Sequence, residues 1–149
     1  MPKRISIKEI EPDAYKAMYA MEHYGKSTQI PPMLRQLIKI RASQINGCAY
    51  CLDMHTEEAL ALGESNRRIF ALSVWKESHL FSDEERAVLQ LTDEITLISQ
   101  SGVKDETYTD VLKYFGETGV AQLVMLIVII NSWNRIAVST KMIYKNSLS

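Results

Sequence analysis

Two cysteines and a histidine, Cys48, Cys51 and His55, stand within eight consecutive residues, Cys48-Ala49-Tyr50-Cys51-Leu52-Asp53-Met54-His55. On an α-helix each residue turns the direction by about 100°, so the three side chains point to about 0°, 300° and 340° and share one face. Cysteines at i and i+3 are neighbours, with Cα atoms about 5 Å apart, inside the range that an S–S bond tolerates. His55 follows Cys51 by one turn but lies about 10 Å along the axis from Cys48. The spacing therefore pairs the imidazole with Cys51 and leaves Cys48 as its partner thiol.

Such a group suits thiol redox chemistry, because the attacking species is a thiolate, which a helix N-terminus and a nearby imidazole both favour. Thiolate formation alone is a weak device. Lowering a thiol from about 8.5 to about 6.5 raises its ionised fraction at pH 7 from roughly 3% to roughly 75%, while lost nucleophilicity takes back about eightfold, a net gain of about threefold. Moving the proton, for instance to the oxygen that departs when a peroxide is cleaved, is the larger service that His55 can offer. The expected cycle is attack by Cys51, formation of its sulfenic acid, and condensation with Cys48 to a disulfide.

Other chemistries fit less well. A structural zinc needs four ligands, and beyond these three the chain offers only His23 and His79 and no second CxxC. A c-type haem needs histidine directly after the second cysteine, where Leu52 stands, and a thioredoxin-like site needs a βαβ pattern that is absent. Two buried apolar thiols beside a hydrogen-bonded core histidine form the purely structural reading, weakened by the shared face.

Helices must position these groups, since apolar residues recur at helical spacing almost everywhere and no segment alternates long enough to read as a strand. The expected fold is all-α, with about seven helices in a single domain over residues 1–149. Pro12 suits the first turn of a helix running to about Tyr24, with Tyr15, Met18, Met21 and Tyr24 inward and Gly25 at its end. After Pro31-Pro32, the spacing of Leu34, Leu37, Ile38, Arg41 and Ile45 predicts a helix up to Asn46-Gly47, and the next starts at the cysteines and ends at Gly63. Ser65 can cap a helix containing Ile69, Leu72 and Trp75. Ser82-Asp83-Glu84-Glu85 is a capping box before a stripe of Val88, Leu91, Ile95 and Ile98. Asp105 is expected to cap a short helix through Phe115, ended by Gly116, before a last helix from near Val120 to about Tyr144.

Composition narrows the function. The 149 residues are 46% hydrophobic and 23% charged, as in ordinary globular domains. Seventeen Lys and Arg against eighteen Asp and Glu give a net charge of −1, with no basic block to drive nucleic-acid binding. The N-terminus shows no apolar secretory stretch, so a cytoplasmic protein is expected. The apolar run Leu123 to Ile130 is too short for a membrane span and reads as a buried helix. Trp133, Asn134 and Arg135, polar or amphipathic groups in that apolar helix, are expected chiefly to hydrogen-bond inside the fold, the alternative being that they line the site or an oligomer contact.

The segment RASQINGCAYCLDMHT, residues 41 to 56, with its CxxCxxxH after an SQxNG lead, closely resembles the alkylhydroperoxidase D-like branch of the carboxymuconolactone decarboxylase family. The likeness extends from Leu34 to Gly63, and INSWNR at 130 to 135 resembles the corresponding C-terminal helix. The resemblance implies an all-helical protein assembled into trimers or hexamers. It also implies a cofactor-free peroxidase in which the second cysteine meets the peroxide, the first resolves it, and a dithiol donor or adaptor restores both. In the family's peroxidase pattern a glutamate of the proton relay stands twelve residues before the first cysteine, where this chain has Gln36. A histidine precedes the second cysteine there, where this chain has Tyr50. Gln36 can still orient His55 or a water, and Tyr50 offers a hydroxyl. The expectation is thus a thiol-dependent peroxidase with Cys51 as nucleophile, Cys48 as resolving thiol, His55 as proton carrier and Gln36 as orienting group. The alternative is a dithiol sensor or disulfide-exchange protein with little turnover, and a muconolactone-type decarboxylase ranks last because those relatives lack the cysteine pair.

Overall fold

The computed structural model describes residues 3–144. In chain order the helices are α1 (Ile7–Ile10), α2 (Pro12–Ser27), α3 (Pro32–Asn46), α4 (Ala49–Ala61) and α5 (Asn66–Ala71), then a 3-10 turn (Leu72–Glu77), α6 (Asp83–Thr96), α7 (Ile98–Ser101) and α8 (Asp105–Thr140). Among the described residues there is no strand, and the fold is all-α as the periodicity predicts.

α3 is the central element. Its Leu37, Ile38, Ile40 and Ala42 are fully buried, and it packs against α4, α6 and α8. Each large aliphatic side chain buried this way contributes roughly 1.5–3 kcal/mol relative to exposure. α8 supplies Leu123, Leu126, Ile127 and Ile130 to the same core; by length and composition it could cross a membrane, and 44% of its most apolar stretch is buried inside the fold. α6 opens on the expected box: Ser82 Oγ accepts from Glu85 N at 3.2 Å, and Ser82 N donates to Glu85 Oε2 at 2.9 Å.

Several boundaries differ from the sequence expectation. α2 runs past Gly25 to Ser27, and Tyr24 is exposed. Gly25 is a packing position rather than a stop: a Cβ there would sit 3.2 Å from Leu126 Cδ2, so its absence lets α2 lie close on α8. Ile98 leaves the α6 stripe because Leu97 breaks the helix, and it is exposed on α7. Asp105 is the first residue of α8, not its cap, a place taken by Lys104, whose N–H donates to the buried carboxylate of Glu94 at 3.0 Å. Gly116 does break the chain as expected, with φ 66° and ψ 178°, but helix resumes at once instead of near Val120 and closes at Thr140 rather than Tyr144.

Candidate active site

Gly47, in the left-handed conformation at φ 64°, ends α3 and turns the chain into α4. Cys48 is therefore not a helical residue but the N-cap of α4, with φ −89° and ψ 95°. Its Sγ accepts the Cys51 backbone N–H at 3.4 Å, doing with sulfur what a serine cap does with oxygen. The cap geometry keeps the two thiols adjacent even though one lies outside the helix. Both are free cysteines and each is 1% exposed.

A cavity of about 690 Å³ opens over α4, and Cys51 lines it whereas Cys48 does not. His55 and Tyr50 line it from the same helix, Gln36 and Lys39 from α3, Tyr15, Tyr19 and Glu22 from α2, and Trp133 from α8. Burial pushes the Cys51 thiol up to about 12, helped by its hydrogen bond to Cys48 and opposed by one from Asn134. This reverses the direction the sequence suggests, where the helix start alone would favour the thiolate. A buried thiol in this state needs a base to take its proton.

His55 is 4% exposed, and its Nδ1 lies 2.8 Å from Glu58 Oε2. With the carboxylate on Nδ1, the ring carries its proton there and Nε2 is left as the basic nitrogen. The hydrogen bond from His55 holds Glu58 below the usual carboxylate range against partial burial, and Gln36 adds a further bond to the same carboxylate. Gln36 is thus set against Glu58 rather than against His55 itself. Its Oε1 is buried and, among the described residues, without a hydrogen-bond partner.

Glu58 is the residue that sequence reasoning missed. The sequence does carry a signal for it, since it lies three positions after His55 on one helix face. Glu22 and Lys39 gave no such signal. Glu22 accepts from Lys39 Nζ at 2.8 Å and from Trp133 Nε1 at 3.1 Å, and although burial alone would raise its carboxyl, these partners hold it below the usual range. Tyr50 packs its ring edge-on to Tyr144, with centroids 5.6 Å apart, and burial raises its hydroxyl so that it stays protonated.

The polar residues at the C-terminal end of α8 are hydrogen-bonded, as expected, and they form a floor beneath the cysteines. Asn46 Nδ2 donates to Asn131 Oδ1 and Asn134 Oδ1, both at 2.9 Å. Asn134 Nδ2 donates to Ser43 Oγ at 3.0 Å, and Arg135 Nη1 donates to Asn131 Oδ1 at 2.9 Å. Trp133 also lines the cavity, the alternative that the sequence leaves open for it. Among the described residues no three His, Cys, Asp or Glu side chains are grouped to hold a metal ion.

Comparison with known proteins agrees with this architecture. The sequence profile of the carboxymuconolactone decarboxylase family matches residues 12–94. The uncharacterized protein YdfG of Bacillus subtilis is 46% identical over 139 residues, which cover 93% of this chain and 95% of that protein. A crystal structure of an Agrobacterium tumefaciens protein of unknown function, suggested to be the antioxidant-defence protein AhpD, superposes with a TM-score of 0.94 at 36% identity, covering 98% of this chain and all of that one. The debrominase Bmp8, solved with 2,3,4-tribromopyrrole, superposes with a TM-score of 0.81 at 18% identity over 93% of this chain and 74% of its own, a likeness of fold alone.

Proposed function

The chain belongs to the carboxymuconolactone decarboxylase family, and we propose that within it this protein acts as a thiol-dependent peroxidase using Cys51 and Cys48. The observation that carries the reading is the division of the two thiols. Cys51 lines the cavity together with an imidazole backed by a carboxylate, and Cys48 sits behind it at the helix cap.

In the first step the Cys51 sulfur attacks the terminal oxygen of a hydroperoxide. An S–O bond forms, the O–O bond breaks, sulfur gives up two electrons, and the alkoxide leaves as the alcohol. His55 Nε2 takes the thiol proton and returns it to the departing oxygen, while Glu58 on Nδ1 stabilises the imidazolium that forms in between. In the second step the Cys48 thiol attacks the Cys51 sulfenic acid, forming the disulfide and releasing water. An external dithiol then reduces the disulfide by exchange and is itself oxidised. Tyr50, protonated in the cavity wall, can donate a hydrogen bond to a peroxide oxygen.

The test is peroxide consumption coupled to a dithiol such as dithiothreitol. Turnover in the wild-type chain that disappears in Cys51→Ser supports the reading, and undiminished turnover in that variant overturns it. One observation favours a second reading, a dithiol that is oxidised without rapid turnover: the Cys51 thiol is pushed so high that its proton is hard to remove. That reading expects stoichiometric disulfide formation with slow catalysis in the same assay.

A further inference from the structure

The cavity over Cys51 is much larger than hydrogen peroxide requires, at about 690 Å³, and falls in the range of sites that enclose whole organic ligands. One wall is aromatic: Tyr15, Tyr19 and Trp133 pack on one another with ring centroids 5.4 to 5.8 Å apart. Its charges do not cancel. Lys39 is spent on Glu22, and Glu58 is spent on His55. Lys26 and Arg35 also line the cavity, and among the described residues neither has a carboxylate within ion-pair distance. Arg35 is fixed through Nη1, which donates to the Gly25 and Lys26 carbonyls at 3.1 and 2.7 Å, leaving Nε and Nη2 to bind an incoming group.

From this arrangement, and resting on the peroxidase reading above, we infer that the substrate is an organic hydroperoxide with an apolar body and a carboxylate, the class of a fatty-acid hydroperoxide. The carboxylate pairs with Arg35 and Lys26, and the hydrocarbon lies along Tyr15, Tyr19 and Trp133. The terminal oxygen is then presented to Cys51. The atoms and electrons balance as written above, with the fatty-acid alcohol as the product that leaves.

The experiment compares linoleic acid hydroperoxide with its methyl ester, each below its micellar concentration, as oxidants of the reduced full-length chain in stopped flow at low salt. The acid is expected to react at least about tenfold faster than the ester, and this ratio shrinks as salt is added. In Arg35→Gln, and separately in the exposed Lys26→Gln, the ratio moves toward one. Because the ratio is read within each variant, partial loss of folded protein cancels. Equal rates for acid and ester in the wild-type chain overturn the inference. If neither compound oxidises Cys51, the peroxidase reading fails instead, and calorimetric binding of the corresponding hydroxy acid and its ester decides the site. Tighter binding of the acid, lost in Arg35→Gln, sustains the anionic subsite, and equal binding of both overturns it.

Discussion

Glu58 shows how a single side chain can change the meaning of a motif. Read along the sequence, Gln36 interrupts a proton relay, because an amide cannot carry the proton that a glutamate would. In the fold, His55 already has its carboxylate, 2.8 Å from Nδ1 and contributed from the next turn of its own helix. Outer partners of this kind typically account for 10- to 100-fold in the function of the group they orient, so Glu58→Gln should slow Cys51 oxidation by about that factor. Its side chain is 46% exposed, so the melting temperature should hardly change, and the two measurements together separate positioning from folding. The same geometry makes an opposite forecast for Gln36→Glu. A second carboxylate beside Glu58 raises both by repulsion and adds no base that His55 lacks, so the peroxide rate should rise by no more than about twofold. A large gain would mean that Glu58 does not serve the ring.

At the scale of elements, the fold rests on a few positions where backbone geometry, not hydrophobicity, decides. Gly116 holds φ 66° and ψ 178°, a conformation essentially reserved for glycine, and no atom lies within 4 Å of where its Cβ would be. Gly116→Ala should therefore cost about 1–3 kcal/mol through backbone strain alone, visible in denaturant melts with an unchanged slope. The buried amide network beneath the cysteines should respond more strongly than its exposure suggests. Asn46→Leu leaves Asn134 Oδ1 without its donor while Asn131 Oδ1 keeps Arg135, at a cost of about 1–3 kcal/mol, and should also slow the chemistry by loosening Asn134 under Cys51.

These cases mark what the sequence made legible. The capping box at Ser82, the break at Gly116 and the turn at Gly47 are written in residue types with one strong local preference, and the structure keeps them. Tyr24, Ile98 and the cap of α8 depart from the sequence pattern because an apolar period does not say where a helix stops or which neighbour arrives to cover it. At the site, the adjacency of the two thiols was legible from spacing alone. The state of Cys51 was not, since its burial comes from residues on other helices. Glu22 and Lys39 meet from α2 and α3 only through tertiary packing, which no local pattern records.

For the whole molecule, the buried thiol ties stability to pH. Below its ordinary value of 9.0 both the folded and the unfolded chain retain the Cys51 proton. As pH rises toward about 12, the unfolded chain releases that proton first while the fold still holds it, so folding loses free energy over this window. Melting temperature should thus fall more steeply between about pH 9 and pH 11 for the wild-type chain than for Cys51→Ala, and parallel curves would contradict the buried, protonated state. The central claim is that the cavity thiol is attacked first and the capping thiol closes on it. It is tested most directly by mass analysis after one equivalent of hydroperoxide is added to the reduced protein and to Cys48→Ser. The account predicts loss of two hydrogens as a Cys48–Cys51 disulfide in the former, and a single oxygen on Cys51, trapped by dimedone, in the latter. Oxygen appearing first on Cys48 when Cys51 is replaced, at the wild-type rate, would contradict it.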